Sequence, residues 1–253
     1  MKFLVLILVL IIGHSMMDTA YASKKDDPDS IFDGILGRYV SEDGFVNYKR
    51  LKEDKEFERY IEYLSDTDPD TLPSDKDRLA FWINAYNAFV LKGVLDEYPI
   101  KSVRDVGWFP LISFFERKEF KTRHGKITLQ VLEDKKLREA FREPRIHFVI
   151  NCASMSCPKL LTEAYKAEKL EQQLEAQAIS FINDKNKNYL DKENNILSLS
   201  SIFKWYEGDF IKKGEKIAEY VARYLNPDDA EFVRNNEVVT KYLDYDWGLN
   251  EQK

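Results

Sequence analysis

The chain has 253 residues, 44% of them hydrophobic and 13% aromatic, with a formal net charge of −6. That apolar and aromatic content excludes a disordered chain and suffices for one domain with a substantial core. The acidic balance, without a concentrated basic stripe, argues against nucleic acid as a partner.

At the N-terminus Lys2 precedes the apolar run FLVLILVLII, which ends at Ile12, and Ala20-Tyr21-Ala22 follows. A charged start, an apolar run too short to span a bilayer and an A-x-A site are the marks of a secretory signal peptide. The expectation is cleavage after Ala22, so that residues 1–22 leave and the mature protein is secreted or periplasmic, without stable membrane insertion. Residues 23–45 then form a leader and first helix, and residues 46–250 a single domain.

Helical spacing at Ile31, Ile35 and Leu36 predicts that first helix, and Phe57, Ile61 and Leu64 continue the pattern through a second over 47–65. TLPSDKDR punctuates the chain before the strongest helix, 76–97. There Leu79, Trp82, Ile83, Tyr86, Phe89 and Val90 form one apolar stripe, and Ala80, Asn84, Asn87 and Leu91 another. A helix apolar on both faces belongs inside the domain. Asn84 and Asn87 therefore put two amides on a buried element, either to satisfy a neighbouring backbone or to line a site.

Residues 112–129 read as a hairpin turning at Arg123-His124-Gly125, with His124 exposed. LQVLEDKKLREAF is helical up to Pro144, and Arg145 to Ile150 reads as a core strand. A long helix over 160–184, a strand pair near Tyr189 and Ile196, two short helices and a strand over 238–246 complete the chain. Mixed elements without a βαβ rhythm give an α+β domain, several helices around a small, mostly antiparallel sheet.

The segment HFVINCASMSCP, 147–158, holds both cysteines. Strand parity puts His147, Val149 and Asn151 on one face. Pro158 at a first helical turn would leave Cys157 near a helix N-terminus, where the dipole stabilises a thiolate. An imidazole near such a thiol is what nucleophilic cysteine chemistry requires. In an exported protein the same two cysteines also read as a disulfide closing a very small loop. The spacing matches neither a C-x-x-C redox motif nor a zinc ligand set, so no metal or cofactor is expected.

FWINAYNAF (81–89), RIHFVINCASMSCPKL (145–160), LSSIFKWYEGDF (199–210) and YDWGLN (245–250) occur in this order. With them the chain resembles domain of unknown function 547, from about Val46 to Asn250. The residues matching that pattern are Asn84, Asn87, His147, Asn151, Cys152, Cys157, Trp205, Asp209, Asp246 and Trp247. A looser similarity links it to papain-like and transglutaminase-like thiol enzymes, which pair a cysteine opening a buried helix with a histidine on a later strand. Here Asn84 and Asn87 stand in that helix, so the resemblance implies either a nucleophile moved to Cys152 or Cys157, or an inactive scaffold.

Three readings follow. In the first, the protein is a thiol-dependent acyl-transfer or amide-hydrolysis enzyme of the cell envelope. Cys157 is its nucleophile, His147 its base, and Asn151 or Asn84 orients the imidazole or donates to an oxyanion. In the second, a non-catalytic module binds a small molecule or peptide through Asn84, Asn87, Trp205 and Asp209, and a Cys152–Cys157 disulfide is a staple. A purely structural motif, with His147 and the asparagines tied up in hydrogen bonds, is the plainest alternative.

Overall fold

A computed structural model describes residues 28–106 and 113–253, so the predicted signal peptide lies outside the described residues. Helix α1 (Pro28–Tyr39) buries Phe32, Ile35 and Leu36. The predicted helix 47–65 is two helices, α2 (Tyr48–Leu51) and α3 (Lys55–Asp66). The break falls at Asp54, whose carboxylate accepts the backbone N–H groups of Glu56 and Phe57 and so starts a new helix.

Helix α4 (Asp75–Glu97) opens on a Ser74 cap and stops where Pro99 forces the preceding residue to be extended. As its pattern predicts, it is buried nearly throughout: Ile83, Ala85, Ala88 and Val94 have no exposed surface. SFFER, expected in a strand, instead supplies the short capped helix Phe114–Arg117. The hairpin itself is Glu119–Thr122 (β1) against Gly125–Thr128 (β2), and Gly125 takes the positive φ of +111° that its turn needs. His124 is half-exposed and hydrogen-bonded to Asp68.

From Leu129 to Phe141 the chain is helical, but Leu132–Arg138 winds as a π-helix between two short α-helical turns. Two further expectations fail. Arg145 to Ile150 is no strand: Pro144–Phe148 is a 3-10 helix. Pro144 supplies the fixed φ of a first turn, and the Glu143 carboxylate accepts the Arg145 N–H. Ile146, His147 and Phe148 are all buried, so strand parity does not apply. The helix expected over 160–184 is only Leu170–Ile182. Upstream of it, side-chain amides replace the helix's own bonds: Gln173 and Gln177 donate to the carbonyls of Ala164 and Lys159. Cys157 is therefore not at a helix N-terminus, and the dipole argument for it falls.

Tyr189–Asp191 (β3) pairs antiparallel with Ile196–Leu199 (β4), which pairs parallel with Val239–Tyr242 (β5). The architecture is α+β, with a two-stranded antiparallel sheet and a three-stranded mixed sheet in place of one mostly antiparallel sheet. Buried side chains form two clusters. One surrounds α4; the other gathers Phe181, Leu197, Leu199, Phe203 and Phe210. The 3-10 helix and the two residues after it span both, sending Ile146, Val149 and Ile150 into the first and Phe148 into the second. His147 sits at that seam.

Candidate functional site

A cleft of about 250 Å³ opens at the seam, lined by Tyr86, Glu133, His147, Cys152, Cys157, Trp205, Tyr206, Tyr245 and Trp247, among others. His147 is 2% exposed, and its ring stacks on Tyr206 with centroids 4.0 Å apart. Nε2 of His147 lies 2.7 Å from Oδ2 of Asp209. Arg138 grips the same carboxylate, Nε to Oδ2 at 2.6 Å and Nη2 to Oδ1 at 3.2 Å, and reaches Asp134 with Nη1. Burial pushes the Asp209 carboxyl upward, but the hydrogen bonds from His147 and Arg138 outweigh it and hold it well below the usual carboxylate range. An ionised Asp209 accepts Nε2–H, which leaves Nδ1 as the acceptor of the neutral ring.

The same cleft holds the sulfur pair. The Sγ atoms of Cys152 and Cys157 are 2.08 Å apart, at disulfide distance. The Cys152 N–H donates to Cys157 Sγ at 2.7 Å, and the Tyr245 hydroxyl approaches the same sulfur at 3.2 Å. Tyr245 also lies 3.1 Å from Cys152 Sγ and 3.3 Å from the Ser154 hydroxyl. Burial drives the phenols of Tyr86, Tyr206 and Tyr245 well above their usual range, so all three stay protonated donors.

The cysteine loop is shaped by asparagines. Asn87 Nδ2 donates to Val149 O at 3.0 Å, and its Oδ1 accepts the Asn151 N–H at 2.8 Å. Asn151 in turn donates to Pro158 O at 2.7 Å and accepts from the N–H of Ala153 at 2.8 Å, which holds Ala153 at a φ of +59°. Asn84 pairs both ways with the backbone of Tyr165, at 2.8 and 2.9 Å. From the C-terminal side, Met155 N–H bonds to Gly248 O and Ser156 N–H to Asp246 O, which docks YDWGLN against the loop.

His147, Cys152, Cys157 and Trp205 thus line one cleft, and Asp209 stands behind His147. Asn84, Asn87 and Asn151 do not line it. Each faces backbone, so Asn151 and Asn84 do not orient the imidazole; Asp209 does. Glu133, Arg138, Tyr86, Tyr206 and Tyr245 were missed in the sequence. Tyr86 stood in the apolar stripe of the long helix, and LQVLEDKKLREAF read only as a helix, with no role for its charges.

Residues 69–182 match the family model described as protein of unknown function, DUF547. Over this segment, less than half of the chain, the protein is similar to DUF547. The segment supplies α4, the π-helical turn, the 3-10 helix and the cysteine loop, whereas Trp205, Asp209, Tyr245 and Trp247 lie beyond the match and complete the cleft. No curated protein and no solved structure matches the chain.

Proposed function

We propose that the cleft is the active site of a thiol-dependent acyl-transfer or amide-hydrolysis enzyme, exported to the cell envelope and acting on a small molecule or peptide. The observation that carries the reading is the placement of Cys157 and a buried, Asp209-held His147 on the walls of one cleft. In place of a helix dipole, the Cys152 N–H and the Tyr245 hydroxyl are the donors that favour a thiolate at Cys157. A dithiol first reduces the Cys152–Cys157 pair, taking up its two sulfurs' bond as its own disulfide. His147 Nδ1 then takes the proton of the Cys157 thiol, and the thiolate attacks the acyl carbon; a C–S bond forms, the C–N bond breaks, and Nδ1 passes that proton on to the leaving amine. Water or an acceptor cleaves the thioester and restores the thiolate.

A second reading, a non-catalytic binding cleft stapled by the cysteines, draws on the bonding distance of the two sulfurs. A thiol count on protein from its native compartment, followed by amide turnover with and without a dithiol, separates the two. Turnover that needs the dithiol and disappears in Cys157→Ser supports the enzyme. Absence of turnover in the reduced wild type sinks it. Mass measurement of the mature chain tests cleavage after Ala22.

A further inference from the structure

Glu133 takes no part in the thiol chemistry, yet it is 7% exposed and lines the cleft. Its Oε2 accepts the Tyr86 hydroxyl at 3.1 Å and the Tyr206 hydroxyl also faces this carboxyl group, while Oε1 is buried with no hydrogen-bond partner among the described residues. Leaving a carboxylate oxygen buried without a donor is costly, and such groups in native structures call for a partner. Arg138, in the same π-helical segment, is already bound to Asp134 and Asp209.

The walls of the cleft that Glu133 lines are aromatic. Tyr86, Phe115, Trp205, Tyr206, Tyr245 and Trp247 all line the cleft. Three of them cluster on one side, with Tyr245 4.7 Å from Trp247 and 4.8 Å from Trp205 between ring centroids. Aromatic faces attract cations, and their apolar bodies take an alkyl stem. One unpartnered carboxylate oxygen among aromatic faces is a site for a single compact positive charge on an apolar chain.

We propose that the cleft binds an alkylammonium group, with Glu133 Oε1 accepting a charge-assisted hydrogen bond and the aromatic walls holding the stem. The cleft volume of about 250 Å³ suits a short alkyl amine or one lysine side chain. This inference needs the cleft alone, so it stands or falls apart from the thiol reading.

The test is calorimetric titration of the mature protein, cysteines left as purified, with n-butylammonium, n-butanol and Nα-acetyl-lysine methylamide. Butylammonium binds about tenfold or more tightly than butanol, because only the amine carries the charge-assisted bond. Glu133→Gln, checked for an unchanged thermal midpoint, loses that preference, and Trp247→Leu weakens both ligands. A lysine derivative that binds tenfold better than butylammonium assigns the site to protein lysines; equal or weaker binding assigns it to free amines. Equal affinity of wild type for butylammonium and butanol, or a Glu133→Gln protein that keeps the preference, overturns the proposal. The wild-type comparison stands even where the variant fails to fold.

Discussion

Asp209 Oδ2 lies 2.7 Å from Nε2 of His147, 62 residues away in sequence, and the same oxygen accepts Arg138 Nε at 2.6 Å. The imidazole is thus held by a carboxylate that is itself fixed, with stacking on Tyr206 setting its tilt. Asp209→Asn keeps an acceptor of the same shape but removes the charge that stabilises an imidazolium. In the dithiol-activated protein, kcat/KM is expected to fall by about 10²–10⁴-fold. A rate within twofold of wild type would remove His147 from the chemistry.

The same carboxylate gives a pH signature. Its folded pKa is depressed, so it contributes stability that is complete above the unfolded value, about 3.9, and is lost as pH falls below it. Wild type and Asp209→Asn, unfolded in urea at a series of pH values, should differ by a constant amount above about pH 5. The gap should narrow steadily in more acidic solution. A gap that widens on acidification contradicts the ionised Asp209.

Asn87→Ala removes two buried hydrogen bonds and strands Val149 O and the Asn151 N–H. A loss of about 3 kcal/mol in urea unfolding is expected, since each stranded group costs about 1–3 kcal/mol. Asn87→Asp should not rescue it, because a carboxylate cannot donate to Val149 O.

In the reduced protein, Cys157 should alkylate faster than an ordinary thiol at pH 6 to 7, because two donors face its sulfur. Tyr245→Phe, which removes one of them, should slow alkylation severalfold at that pH and less at pH 9. Iodoacetamide labelling read by mass spectrometry checks both rates. An unchanged pH dependence would mean that Tyr245 does not act on the sulfur.

Gly93 lies within α4, where alanine would ordinarily gain about 1 kcal/mol in helix propensity. A Cβ there would come 2.6 Å from Cζ of the buried Phe114. Gly93→Ala is therefore expected to destabilise by about 1–3 kcal/mol through overpacking. Phe114→Leu in the same chain should recover part of the loss.

Much of the fold was legible because long patterns average out local ambiguity. The 23-residue α4 and the hairpin turning at Gly125 are of this kind. The short run 145–150 is not: six apolar-rich residues fit a strand and a 3-10 turn alike. Pro144 behind a capping Glu143 was the signal that decided for the turn. The helix predicted from 160 began only at 170 because Asn84, Gln173 and Gln177 satisfy its backbone from outside, which no periodicity reveals. At the site, the contiguous motif brought His147 and the cysteines together, whereas Glu133 and Arg138 required knowing that their helix changes pitch.

That change of pitch fixes which side chains are neighbours. In the turn Leu132–Arg138 the Glu139 N–H reaches back to Asp134 O, five residues away. Residues five apart advance an α-helix by about one and two-fifths turns and diverge, whereas a π-helical turn brings them onto one side. Glu133 and Arg138 are five apart, and one lines the cleft while the other holds Asp209. Rewound as an ordinary α-helix of the same length, the segment would set Glu133 and Arg138 about 140° apart around its axis. That rewinding, with no residue gained or lost, would swing one of the two side chains away from the seam. The spacing of this turn, more than its composition, is what the cleft cannot lose.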